Sequence, residues 1–243
     1  VKSKAIAVLL VLLGVGATLG GVYGQVFLGE DEGHHDGRVF TFALDSQSGA
    51  DELVVSSPGP NLLDAEVLRA GQSISFDDLH DGEAHYFVTT ADLSWFSHTS
   101  ISEPSDYRMT VPPGDVRVVV QAAPSGGPDL LELGASVVVE GEALREQNIT
   151  DTDAWTNGSI TVQRQGFDFV LSEPWNGNDV YEGPAFLTLF RAEDLAFTHA
   201  HAEVIDANRF SFAVTLPGLG DYLAALEFEQ DGELVTALYR FTL

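Results

Sequence analysis

Cysteine is absent from this chain of 243 residues. Its absence excludes disulfides, thiolate metal sites, a cysteine nucleophile and a lipid-modified N-terminal cysteine. Lysine stops almost at once: Lys2 and Lys4 are the only two, and arginine supplies every later basic side chain. With 11 basic residues against 37 acidic ones, the net charge is −26. That field repels phosphate, so no nucleic acid is expected as a partner. Two readings of the charge stay open. One is a surface that attracts cations. The other, which is preferred, is adaptation to strong salt, because lysine depletion has no metal-binding purpose and salt screens the self-repulsion. Also missing are a Gly-x-Ser-x-Gly elbow, a phosphate-cradling glycine loop, a dinucleotide fingerprint and an EF-hand loop. Carboxylates are so common that no pair stands out as acid and base. No enzyme is expected.

Charge is missing as well from residues 5–29, the one long apolar run. As a helix it would be about 37 Å long at roughly 1.5 Å per residue, enough to cross a hydrocarbon core. A secretory h-region is usually shorter. An uncleaved transmembrane signal anchor is therefore preferred over a cleaved signal peptide. Lys2 and Lys4 would stay in the cytoplasm, with the remainder extracellular. Gly16, Gly20 and Gly24 share one helix face, a spacing that suits close helix pairing but is also ordinary for membrane helices. Residues 30–37, including His34, His35 and Asp36, read as a polar linker.

Beyond residue 37 the chain is rich in short β-like runs such as "HYFVTT", "VRVVV", "AFLTLF" and "YLAALEF". Pro-Gly and Asp-Gly pairs punctuate them, for example Pro113-Gly114 and Asp231-Gly232. "NLLDAEVLRAG" has a brief helical look and also reads as a strand. An internal repeat supports two copies of one sandwich. Asp92-Leu93 answers Asp194-Leu195, Phe96 answers Phe197, His98 answers His199, and Pro113-Gly114 answers Pro217-Gly218. The expected fold is all-β: two tandem β-sandwich domains, 38–141 and 159–243, behind a transmembrane helix within 1–29. The polar segment 142–158 joins them and carries two N-x-S/T sequons, at Asn148 and Asn157, that glycosylation would use if exposed.

The stretches "HYFVTTADLSWFSHTS", "AFLTLFRAEDLAFTHAHAE" and "LPGLGDYLAALEFEQDGELVTALYRFTL" carry a pattern of Asp-Leu-x-x-aromatic-x-His-x-His type. It resembles an uncharacterised family of exported tandem-domain proteins of bacteria, over most of residues 85–243. The resemblance implies immunoglobulin-like sandwiches outside the membrane and implies no reaction. The sequence departs from the pattern in both copies: Ser100 stands where a second histidine would be, Phe186 where a strand-start histidine would be, and Ala202 where proline would be.

Histidine is the remaining chemistry. On an extended strand residues i and i+2 share a side, so His199 and His201 present two imidazoles together, with Glu203 next in line. Imidazole suits copper or zinc, and a carboxylate can complete such a site. His85 and His98 would meet only on neighbouring strands, and His80 with Asp77, Asp78 and Asp81 could add ligands. The bland reading makes these histidines polar tips at strand ends. Trp95, Trp155 and Trp175 read as core or rim aromatics. The expected function is a membrane-anchored extracytoplasmic protein that binds a transition metal, copper-like, through His199, His201, His98 and His85. The alternative is a cell-surface structural or interaction module with an unknown protein partner and no metal.

Overall fold

The computed structural model describes residues 46–74, 84–101, 107–122, 131–180, 183–194, 196–216 and 218–243. The proposed anchor, the linker histidines, and His80 with its neighbouring aspartates lie outside them. Among the described residues the chain is all-β, and no helix is long and apolar enough to cross a membrane.

The first half contains β1 (Gln47–Ser48), β2 (Asp51–Ser56), β3 (Leu62–Arg69), β4 (Gln72–Ser73), β5 (Ala84–Thr90), β6 (Phe96–Ile101), β7 (Tyr107–Thr110), β8 (Gly114–Ala122) and β9 (Leu131–Val139). The second contains β10 (Ile149–Thr150), β11 (Ala154–Asn157), β12 (Ile160–Gln165), β13 (Asp168–Leu171), β14 (Phe186–Arg191), β15 (Phe197–His201), β16 (Glu203–Asp206), β17 (Arg209–Ser211), β18 (Asp221–Gln230) and β19 (Glu233–Thr242). The stretch with a helical look is β3. Its Leu63, Ala65 and Val67 are buried while the residues between them are partly exposed, the period of two that a half-buried strand requires.

Four sheets result. In the first half, β1-β2-β3-β4, with β7 also on β3, forms one sheet and β6-β5-β8-β9 another. Leu63, Tyr86, Val88 and Val118 belong to the core of this half. In the second half, β10-β19-β18-β14-β15 forms one sheet and β11-β12-β13-β17-β16 the other. Phe169, Leu187, Leu226 and Tyr239 belong to their core. Within the polar segment 142–158, β10 runs parallel to β19, and β11 pairs with β12.

A third core positions the site. Phe87, Phe96 and Val119 of the first half pack with Phe186, Phe190, Phe197 and Leu223 of the second. The central strands β5, β14 and β18 of the sheets β6-β5-β8-β9 and β10-β19-β18-β14-β15 thus bury both faces. Along β5, Tyr86 and Val88 serve the core of their own half while Phe87 serves the joint. In β14, Leu187 and Leu189 point one way, and Phe186 and Phe190 the other. Two-sided burial explains why "HYFVTT" and "AFLTLF" read as near-continuous apolar runs rather than alternating ones.

Candidate functional site

The two copies of the Asp-Leu motif build turns. Thr90 Oγ1 and Asp92 Oδ1 both accept a hydrogen bond from the Ser94 backbone N–H, each at 3.1 Å. The Leu93 backbone N–H donates to Thr90 O at 2.9 Å. In the second copy Asp194 Oδ1 accepts from the Ala196 backbone N–H at 3.1 Å. A short carboxylate that accepts from the backbone two residues on is ordinary turn chemistry. Both carboxyls lie below the usual range. Burial pushes Asp92 up, but its hydrogen bonds with Thr90 and Ser94 outweigh that; the hydrogen bond from Arg191 lowers Asp194. The repeated aspartates therefore hold the β5–β6 and β14–β15 connections in register.

That register sets the histidines. In the first half His85 pairs across β5–β6 with Ser100, and Phe87 with His98. In the second, Phe186 pairs with His201 and Thr188 with His199. His85 and Phe186 are thus equivalent, as are His98 and His199. The next ladder extends the correspondence: His85 lies opposite Gln121, and Phe186 opposite Glu227.

All four histidines enter the joint between the halves. His85 is buried, and its Nδ1 lies 2.9 Å from His98 Nε2. His98 Nδ1 lies 2.6 Å from Glu227 Oε2, with both side chains almost wholly buried. The tautomer that donates from His98 Nδ1 to the carboxylate leaves Nε2 as the acceptor for His85 Nδ1–H. This line of three groups crosses from β5 and β6 to β18. The other oxygen, Glu227 Oε1, accepts from Thr236 Oγ1 at 3.4 Å.

The second pair sits in the same aromatic layer. His199 stacks on Phe186 at 4.8 Å, and His98 lies against the same ring at 5.3 Å. Phe87 stacks on His98 at 4.3 Å, and His201 meets Phe186 edge-on at 5.2 Å. His199 and His201 lie 5.7 Å apart, ring centre to ring centre, inclined at 76°. They share a side as the i, i+2 spacing predicts. His199 is not a polar tip at a strand end, because it is as buried as the phenylalanines beside it, whereas His201 is the last residue of β15 and is partly exposed. Glu203 does not extend their row. The chain leaves β15 at His201, passes Ala202 and starts β16 in the opposite sheet, where Glu203 is exposed. Among the described residues no three histidine or carboxylate side chains are grouped so as to hold a metal ion.

Glu227 escaped the sequence reading because nothing marks it among so many acids. Its signal was positional: it lies in "YLAALEFEQ", where the other residues from Tyr222 to Phe228 are apolar. The tryptophans are structural. Trp155 Nε1 donates to Asn148 O at 2.8 Å, and Trp175 Nε1 to Glu229 O at 2.9 Å.

No family model matches the chain, and no curated protein matches it. A similar solved structure is that of a "Biofilm associated protein - BSP domain". It is 7% identical, with a TM-score of 0.26, and the match covers 80% of this chain and 29% of that one. A likeness at that score carries no argument. The resemblance to exported tandem-domain proteins accordingly rests on sequence motifs alone.

Proposed function

We propose that this chain is a non-catalytic module of the outer cell surface, an immunoglobulin-like sandwich pair that works by contact with other molecules. One observation carries the reading: the repeated histidines, the most chemical feature of the sequence, are spent on a buried joint. His98 is held from both sides, by His85 and by Glu227, and the imidazoles stack on Phe87 and Phe186. Groups so placed fix the orientation of two sandwiches, as a module that presents a surface needs. The acidic, lysine-poor composition suits exposure to a salty exterior, and the apolar stretch within 1–29 suits a membrane tether.

A second reading keeps the metal, copper or zinc, at His85, His98, His199 and His201. It is favoured by four imidazoles in one layer, with two ring nitrogens 2.9 Å apart. Titration of the purified chain with Cu(I), Cu(II) and Zn(II), beside the His199→Ala/His201→Ala variant, separates the two. The joint reading expects no stoichiometric uptake and a lowered melting temperature in the variant. Stoichiometric uptake that the variant loses would replace it with the metal reading. Cleavage of the chain by protease added outside intact cells tests its location.

A further inference from the structure

A cleft of about 360 Å³ opens beside the joint, and both His98 and Glu227 line it. Its walls come from β6, the 147–148 segment, β11 and β19. Three features decide what it can hold. First, Glu227 is a buried carboxylate in contact with the cleft, and no arginine or lysine lines it. Second, the carboxylate is only partly satisfied. Oε2 takes the short bond from His98, whereas among the described residues Oε1 takes only the long one from Thr236. A buried carboxylate has room for more donors than this, and one held by few is costly. Third, the remaining walls suit an apolar stem with a polar rim. Phe96, Leu234 and Leu238 are apolar, and Asn148 and Asn157 bring amide groups. The Asn148 amide nitrogen is already donated to Thr156 O at 2.8 Å, which leaves its carbonyl oxygen as an acceptor.

We infer that this cleft is a binding site for a primary ammonium group on a short alkyl stem. An ammonium is a point donor that one carboxylate oxygen can receive. A guanidinium is suited to both oxygens in a bidentate fork, and His98 already occupies Oε2. The stem lies against Phe96, Leu234 and Leu238, and the strongly negative chain draws cations toward the mouth. The same chemistry is offered by a free alkylamine and by a lysine side chain on another protein. This inference deepens the proposal of a contact module by naming what one of its sites grips. It can also stand without it: a chain that binds amines but no protein keeps the site and loses the wider role.

The test is NMR titration of the full chain, in strong salt, with n-butylammonium chloride, read at the His98 and Trp155 ring resonances. Saturable shifts are expected, with at least tenfold weaker binding of n-butanol and n-butylguanidinium. Glu227→Gln keeps the shape and an acceptor for His98 but removes the charge, and should weaken binding at least tenfold. Leu234→Trp provides a control away from the buried pair. Leu234 is half-exposed at the cleft, so the variant should keep the wild-type melting temperature and still bind at least fivefold more weakly. Nα-acetyl-lysine N-methylamide distinguishes the sources. Tighter binding than butylammonium points to a lysine of a partner, and weaker binding to a free amine. Shifts that fail to saturate, equal binding of butanol, or undiminished binding in both variants would overturn the site.

Discussion

Removing one ring from the joint should do more than lower stability: it should uncouple the halves. Phe186 is the ring to remove, because it is fully buried and touches Phe87, His98, His199 and His201. A buried phenylalanine withdraws roughly 150–250 Å² from water, about 4–6 kcal/mol at 25 cal/mol per Å². Alanine retains part of that area and the site relaxes in part, so Phe186→Ala should cost about 3–5 kcal/mol. In a unit of this size such a loss lowers the melting temperature by about 6–20 °C. The control is Phe169→Ala, equally buried but within the core of the second half. Its cost should be similar, and the transition should remain single. In Phe186→Ala the loss falls on the surface that makes the halves melt together, so calorimetry should resolve two transitions. In a Trp95→Phe background, Trp155 and Trp175 report the second half alone. Their fluorescence transition should then separate from the far-ultraviolet one. A single coincident transition in Phe186→Ala, or two transitions already in the parent chain, would refute the claim that this joint couples the halves.

Acid should destabilise the fold by a specific route. Arg108 holds Asp64 below the usual carboxylate range, Arg240 does the same for Asp151, and Ser211 with Arg209 for Asp168. A depressed folded value gives stability that is fully present above the unfolded value of about 4 and is lost as pH falls through the folded one. The urea midpoint should therefore hold from neutrality down to about pH 4 and drop below it, and Asp168→Asn should flatten the drop. Asn61 provides a structural test. It sits at φ 57° and donates from Nδ2 to Val111 O and Glu142 O, while its Oδ1 accepts from the Glu142 backbone N–H. Asn61→Ala should cost about 2–3 kcal/mol in chemical denaturation, from lost hydrogen bonds and a left-handed backbone. Gly141→Ala should be comparably harmful, because a Cβ there would come within 2.8 Å of the Asn61 backbone nitrogen. If a eukaryotic secretory host glycosylates the chain, mass spectrometry should find the sugar on Asn157. That residue is exposed beside the β11–β12 turn, whereas the Asn148 amide is held by Thr156 O.

Much of this was legible in the sequence, and the parts that were not have physical causes. Many strands declared themselves by apolar runs or by turn pairs, as β8, which starts at the Pro113-Gly114 pair, does. β2, β11 and β16 are harder to read, because "DELVVS", "AWTN" and "EVID" mix charge or polarity with only two or three apolar residues. Their strand state comes from ladder partners distant in sequence or placed by a turn, which no local pattern reveals. The repeat correctly paired His98 with His199 but not what surrounds them. Their environment depends on the sheet faces that meet, and i, i+2 periodicity tells only that two residues share a side.

The repeat also hides an asymmetry that only the ladders expose. Glu227 and Gln121 occupy equivalent rungs, one opposite Phe186 and the other opposite His85. Opposite them on the next strands stand Thr236 and Glu132. The charged group of each half has thus moved one strand over. In the second half the carboxylate lies on β18 and reaches His98 of the first. In the first half the carboxylate lies on β9 and is hydrogen-bonded by Gln121 of its own sheet. A joint between identical halves would bury each contact twice. This one places the Glu227–His98 carboxylate–imidazole pair beside the cleft, so charge enters the cleft from that rung. The amine-accepting cleft accordingly lies beside the rung that carries Glu227. The exchange Gln121→Glu/Glu227→Gln should move the carboxylate to the other rung and leave the cleft unable to hold butylammonium. Retention of binding by the exchanged chain would show that the site owes nothing to this rung.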